Sequence, residues 1–192
     1  MKNKTKILFI TPIKEVITNH KTNEECFLVS NENGSKFTKA DLTKITQICN
    51  QPLVYNFLFK YKFKGRSYRI NDAKKFIEWI VEGWTKQKWF VFFIRNSQNE
   101  IIGAIDIKSN NLELTEVGYW ADYNHSGIIT NATQTLIKLA KRVGYKKLYA
   151  TTMPNNSRSQ NVLTRNGFIR DGEMQKPSGM RFKFIRNLSH RS

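Results

Sequence analysis

The stretch Glu116-Val-Gly-Tyr-Trp120, followed after a short loop by Ser126-Gly-Ile-Ile-Thr-Asn-Ala132, sets a strand against a helix across a glycine-bearing turn. Downstream, Ile129, Ala132, Leu136, Leu139, Ala140 and Val143 share one helical face, and Gly144 sits where a left-handed cap ends it. A turn of this kind presents backbone N–H groups at the positive end of the helix, a site for phosphate or pyrophosphate. A second segment, Pro154-Asn-Asn-Ser-Arg-Ser-Gln-Asn-Val-Leu-Thr-Arg-Asn-Gly-Phe168, opens another helix. Asn156 and Ser159 share its first turn, Val162 and Leu163 anchor it, and Gly167 ends it. By itself this segment is a capped surface helix, with Asn156 or Ser157 as the N-cap.

Working outward, Lys6 to Ile13 and Cys26 to Ser30 are read as strands, with a turn at Asn31-Glu-Asn-Gly34. Thr38-Lys-Ala-Asp41 is a capping box for a helix carrying Leu42, Ile45 and Ile48, which stops before Pro52. Leu53 to Phe59 fits either a short helix or an extended segment. Asn71 is the expected cap of a helix buried along Ala73, Phe76, Ile77, Ile80, Val81 and Trp84. Trp89 to Arg95 is almost wholly apolar, as a central strand requires. Glu100 to Ile107, read as alternating, and Leu114 to Trp120 follow it across turns, making an antiparallel meander. Lys147 to Met153, Phe168 to Glu173 and Met180 to Leu188 supply the last strands. The order predicts an α+β, or mixed α/β, layer fold with helices covering a sheet. It forms one domain over residues 1–192, of which 1–20 are an N-terminal extension.

The chain has 192 residues, 40% of them hydrophobic, enough for one core. No apolar run approaches the roughly 18–20 residues that span a bilayer. Ile7 to Ile10 is too short for a signal-peptide core. Cys26 and Cys49 belong to no CxxC pair or histidine cluster, so no metal is expected and both read as reduced thiols of a cytoplasmic protein.

Together, the Glu116-to-Ala132 and Asn156-to-Phe168 patterns resemble the GNAT acetyltransferase superfamily, and within it the Rim-type ribosomal-protein N-terminal acetyltransferases. The resemblance is strongest over Ile101 to Phe168. It implies a splayed sheet holding acetyl-CoA between the strand ending at Trp120 and the strand Lys147 to Met153. Backbone groups near Tyr119 and Trp120 would pair with pantetheine, and Ser126, Gly127, Ile128, Ile129 and Thr130 would cradle the pyrophosphate. Asn156 would hold the pantetheine arm and Ser159 would lie near the sulfur. Arg158 is a further phosphate candidate. For transfer, the amine must lose a proton and the thiolate must be stabilised. Glu116 is the candidate base, acting through water, and Ser159 the candidate donor to sulfur.

The chain departs from the family pattern in three places. The cofactor loop is about two residues short. It carries Asp122 and His125 where Gln or Arg and Gly are usual. The final hairpin, Lys176 to Arg186, lacks the usual acidic residue. An aspartate beside a pyrophosphate is electrostatically unfavourable, so the alternative reading is a non-catalytic relative that binds an acidic protein, the ribosome or RNA. His125 reads as structural rather than catalytic.

Lys and Arg total 32 against 15 Asp and Glu, a net +17. Such a field opposes polycationic acceptors and suits an acidic or ribosome-borne protein amine. Basic residues interleave with Tyr55, Phe57, Phe59, Tyr61, Phe63 and Tyr68, an arrangement read as a half-buried strand in preference to an RNA-stacking surface. The expected partners are acetyl-CoA and that amine, with the protein a monomer or homodimer and no membrane involved.

Overall fold

A computed structural model describes residues 7–30 and 37–188. Eight strands form one sheet: β1 (Lys14–Thr18), β2 (Glu25–Ser30), β3 (Phe90–Arg95), β4 (Ile101–Ile107), β5 (Thr115–Ala121), β6 (Lys147–Thr152), β7 (Ile169–Lys176) and β8 (Gly179–Asn187). Their spatial order is β1-β2-β3-β4-β5-β6-β8-β7, and every neighbouring pair is antiparallel except β5 and β6. Five helices accompany them: α1 (Lys39–Asn50), the single turn α2 (Pro52–Val54), α3 (Ile70–Thr85), α4 (Ile128–Val143) and α5 (Ser157–Arg165). Among the described residues no helix is long and apolar enough to cross a membrane.

β3 lies centrally, as its apolar run requires, with Phe90 to Ile94 all buried. β4 does not alternate: Ile101, Ile102, Ala104, Ile105 and Ile107 are all buried, because helices cover both faces of the sheet there. Phe76 of α3 meets Phe93 of β3 and Trp120 of β5 at 6.2 and 6.3 Å between rings, so α3 covers the face that those strands share. On the opposite face the Tyr119 hydroxyl reaches α5, which packs beside α4. The capping box holds as expected, Thr38 accepting from the Asp41 amide at 3.1 Å while Asp41 accepts from the Thr38 amide at 2.9 Å.

Four local expectations change. Ile7 to Ile13 is not a strand (Lys6 and the Asn31-to-Gly34 turn lie outside the described residues); the ladder begins at Lys14, after Pro12, which has no N–H to donate. Phe9 instead inserts into the core, 4.7 Å from Phe90 and 5.9 Å from Trp84 between ring centres. α3 starts two residues early: Arg69 is its N-cap, because the Asp72 carboxylate accepts the Arg69 amide at 2.8 Å, and Asn71 lies inside the first turn. Leu53 to Phe59 is helical, α2 running into a π-helical turn over Tyr55–Phe59. Tyr55 to Tyr68 is therefore no strand. Phe59, Phe63 and Tyr68 pack on one another at 5.0 to 6.0 Å, Phe63 one helical turn beyond Phe59 and Tyr68 brought back by the turns that follow.

Both cysteines are free and buried. Burial, aided by the charges of Glu24 and Glu25, pushes the Cys26 thiol up to about 11, so it stays protonated at neutral pH.

Trp84 is 2% exposed, donates to the Val91 carbonyl at 3.0 Å and touches Phe9, Phe90 and Phe92. Trp84→Ala is expected to cost about 3–5 kcal/mol in a urea unfolding curve. A loss below about 1 kcal/mol would mean that this cluster does not carry the core.

Candidate active site

β5 and β6 pair only at Thr115↔Leu148 and Glu116↔Tyr149. Beyond Glu116 they diverge, while β5 stays bonded to β4 as far as Ala121. The wedge left between them opens into a cavity of about 420 Å³, walled by Val117 to Ala121 on one side and Ala150 to Thr152 on the other. Lys108 N–H donates to the Glu116 carbonyl and Asp122 N–H to the Ile102 carbonyl, so even-numbered residues of β5 bond β4. By antiparallel alternation, the backbone groups of Tyr119 and Ala121 face the wedge. Trp120 corrects an expectation: its backbone is turned to β4, where its carbonyl would lie 2.8 Å from a Cβ placed on Gly103.

Glu116, Tyr119, Trp120, Ser126, Gly127, Ile129, Asn156, Arg158 and Ser159 all line this cavity. Ile128 and Thr130 do not. Ile128 is wholly buried, and the Thr130 amide turns back to the Gly127 carbonyl at 3.3 Å. The helix start is therefore formed by Gly127 and the first amides of α4, which have no partner within the helix. Gly127 has φ +109°, and a Cβ there would stand 2.5 Å from Asn19 Oδ1. The turn between β1 and β2 thus buttresses the loop. Lys21 Nζ donates to Ser126 Oγ at 3.2 Å, and Asn131 Nδ2 donates to the Thr18 carbonyl at 2.6 Å. Lys21 is a cation at the helix start that no motif in the sequence marks, because it arrives from more than a hundred residues upstream.

The two unusual loop residues have structural partners. Asp122, 3% exposed, accepts from Gln51 Nε2 at 2.8 Å and the Asn124 amide at 3.0 Å, and pairs with Lys44 at 3.2 Å. Burial alone would raise its carboxyl. Gln51, the Asn124 amide and Lys44 outweigh burial and hold it below the usual carboxylate range. Its charge is neutralised by α1 and is not turned on a phosphate. His125 sits in a short 3₁₀ turn, Tyr123–His125, with Nδ1 3.5 Å from Glu24. It is not among the positive-φ residues, so this loop does not need glycine there.

Asn156 caps α5, its Oδ1 accepting the Ser159 amide at 3.2 Å. The Ser159 hydroxyl lies 2.7 Å from the Tyr119 hydroxyl, which also lies 3.1 Å from the Ser159 carbonyl. Burial raises the Tyr119 phenol, partly offset by Ser159, so both hydroxyls keep their protons at neutral pH. The pair is a neutral hydrogen-bonded chain at the wedge. Sequence reading placed only the Tyr119 backbone here.

Glu116 lies between two lysines. Lys108 Nζ is 3.0 Å from Oε1, and Lys176 Nζ is 3.1 Å from both carboxylate oxygens. Tyr149 and Thr151 hydroxyls stand 3.4 and 3.5 Å away. Burial would raise this carboxyl, but Lys108 and then Lys176 lower it below the ordinary glutamate range. The final hairpin therefore brings a cation to the site.

The split between two parallel strands thus forms a cleft with a helix start at one end and a hydroxyl pair beside it. Residues 35–169 match the Acetyltransferase (GNAT) domain family, and the chain belongs to it. No curated protein matches the sequence. Among solved structures, RimL, the ribosomal L7/L12 α-N-protein acetyltransferase in complex with coenzyme A, is 17% identical with a TM-score of 0.69. The alignment covers 90% of this chain and 98% of that one. The microcin C7 self-immunity acetyltransferase MccE, with acetyl-CoA and AMP, is 20% identical with a TM-score of 0.68, over 86% and 93% of the two chains. AAC(6')-Ib with ribostamycin and coenzyme A is 14% identical with a TM-score of 0.63, over 79% and 90%. At these identities the likeness is one of fold.

Two outcomes are expected. Gly127→Ala should destabilise the protein by about 1 kcal/mol or more through left-handed strain and the Asn19 clash; an unchanged melt would remove Gly127 from the loop's architecture. Because the folded pKa of Glu116 is depressed, its contribution to stability is present above the ordinary glutamate pKa and lost as pH falls toward the folded value. Wild type should therefore lose melting temperature more steeply than Glu116→Gln between about pH 5 and pH 3. Parallel curves would contradict the double lysine pairing.

Proposed function

We propose that this acetyltransferase moves the acetyl group of acetyl-CoA onto a protein N-terminal α-amine by direct attack, in the cytoplasm. The observation that carries the reading is the wedge beyond Glu116, whose β5 edge offers unpaired backbone groups at Tyr119 and Ala121. An extended pantetheine arm fits such an edge as an added strand would, and the reading gives Asn156, which lines the same cavity, to that arm. The α4 start, with Ser126, Gly127 and Ile129, suits the pyrophosphate, and Lys21 and Arg158 suit phosphate oxygens. RimL and MccE, of the same fold, hold coenzyme A or acetyl-CoA.

A neutral amine attacks the thioester carbonyl; the C–N bond forms and the C–S bond breaks. The Ser159–Tyr119 hydroxyl pair gives the departing thiolate a hydrogen bond, and the nitrogen's surplus proton passes through water beside Glu116 to the sulfur, leaving amide and thiol. Held as an anion by Lys108 and Lys176, Glu116 orients that water and favours positive charge on the nitrogen. An α-amine, titrating near ~8, needs less help from so weak a base than a lysine near ~10.4. The +17 field disfavours an aminoglycoside acceptor such as the ribostamycin bound to AAC(6')-Ib and favours an acidic one. The non-catalytic alternative drew on Asp122 and His125, and both now have structural partners.

Acetyl-CoA at 100 times its Kd should add about 2.7 kcal/mol to thermal stability. No shift at millimolar acetyl-CoA would sink the reading. Glu116→Gln should keep that shift and lower kcat toward acidic peptides by about 10²-fold or more. Unchanged turnover would remove Glu116 from the mechanism.

A further inference from the structure

A second cavity, of about 630 Å³, lies on the other face of the sheet, under α1 and α3. It shares Lys108, Gly118, Tyr119 and Trp120 with the wedge, so the two meet where β5 leaves β6. Its walls are aromatic, from Phe59, Phe63, Phe76, Trp79 and Trp120, and Asp106 of β4 lines it. Asp106 Oδ1 is buried and has no hydrogen-bond partner. The other acidic groups near the two cavities are matched: Asp72 by Arg66, Asp122 by Lys44, Glu116 by Lys108 and Lys176. Lys108, the nearest cation to Asp106 along β4, gives its ammonium to Glu116.

An unpaired buried carboxylate is costly, and an arriving cation removes that cost. Burial pushes the Asp106 carboxyl up, Lys108 and the Gly118 amide pull it partly back, and Glu116 pushes it further up; none of them forms a hydrogen bond with Oδ1. Gly118 stands directly opposite Asp106 in the ladder. A Cβ there would be 3.0 Å from both Asp106 Oδ1 and Lys108 Cε, so only a glycine fits beside the Asp106 carboxyl and the Lys108 side chain at the junction of the two cavities. Aromatic walls around a carboxylate attract an ammonium and an apolar side chain together. Lys62 and Lys75, exposed at the rim, are suited to carboxylates further along the acceptor.

We propose that Asp106 receives the acceptor's ammonium in this aromatic cavity, and that the acceptor is a peptide with an apolar first residue followed by acidic ones. The inference rests on the acetyl-transfer reading above and names the acceptor side of that same site. Asp106 holds the ammonium at Gly118, beside the wedge, and Glu116 acts on the nitrogen once it is there.

The test uses the full chain and a peptide beginning Phe-Asp-Glu-Asp, with its des-amino analogue as the uncharged control. Calorimetry should show wild type preferring the free amine, and Asp106→Asn losing that preference. At saturating acetyl-CoA the same variant should raise the peptide KM about tenfold or more and keep the acetyl-CoA melt shift. Lys62→Glu with Lys75→Glu, both surface changes, should raise KM for this peptide and leave it unchanged for Phe-Ser-Gly-Ser. Equal binding of amine and des-amino peptide by wild type, or an unaltered KM and preference in Asp106→Asn, would overturn the proposal. If wild type binds the amine selectively but acetylates nothing, the transfer reading fails and the Asp106 site stands.

Discussion

The site depends on a pairing that stops. β5 and β6 share two register positions, Thr115↔Leu148 and Glu116↔Tyr149, and then part. Parallel pairing that continued would bury the β6-facing edge of Tyr119 and Ala121 and close the cavity. The strands are held apart by what each is attached to. β5 remains bonded to β4 through Ala121, while β6 is bonded to β8 along its whole length, from Lys147↔Asn187 to Thr152↔Phe182. Each strand belongs more firmly to its own half of the sheet than to the other. The opening is a product of topology.

Electrostatics then divide the work among carboxylates. Asp122 ties the loop before α4 to α1 through Gln51 and Lys44. Glu116 is fixed as an anion by lysines from β4's end and from β7. Asp106 keeps one buried oxygen, Oδ1, without a hydrogen-bond partner. Environments that push neighbouring carboxyl groups in opposite directions are the usual means of giving them different tasks. The net positive charge of the chain has local uses in this arrangement: Lys108 and Lys176 at Glu116, Lys21 at the helix start.

Helices α1, α3 and α4 were legible because their apolar positions repeat at helical spacing, and the β3–β4–β5 meander because turn residues separate its apolar runs. The motif residues Glu116, Gly127, Asn156 and Ser159 all came to one cavity. What was not legible depends on distance in sequence or on a second periodicity. Tyr55 to Tyr68 alternates aromatic and basic residues like a strand, yet Tyr55, Phe59 and Phe63 also recur every four residues, and the clustering of Phe59, Phe63 and Tyr68 goes with the helical turn and not with a strand. Asp122 looked misplaced because its partners Lys44 and Gln51 lie more than seventy residues away. Lys176 reaching Glu116 requires the β7–β8 hairpin to fold back, which no local pattern shows. Asp106 did carry a signal: a single carboxylate within Ile101-Ile-Gly-Ala-Ile-Asp-Ile107, a strand otherwise apolar on both faces.

Amide hydrogen exchange with and without acetyl-CoA tests the central claim most directly. If the wedge beyond Glu116 is the cosubstrate site, acetyl-CoA should slow exchange at the Tyr119 and Ala121 amides and at Gly127 to Ile129, while β1 and β2 are unaffected. Protection confined to other segments, or none at saturating acetyl-CoA, would contradict it.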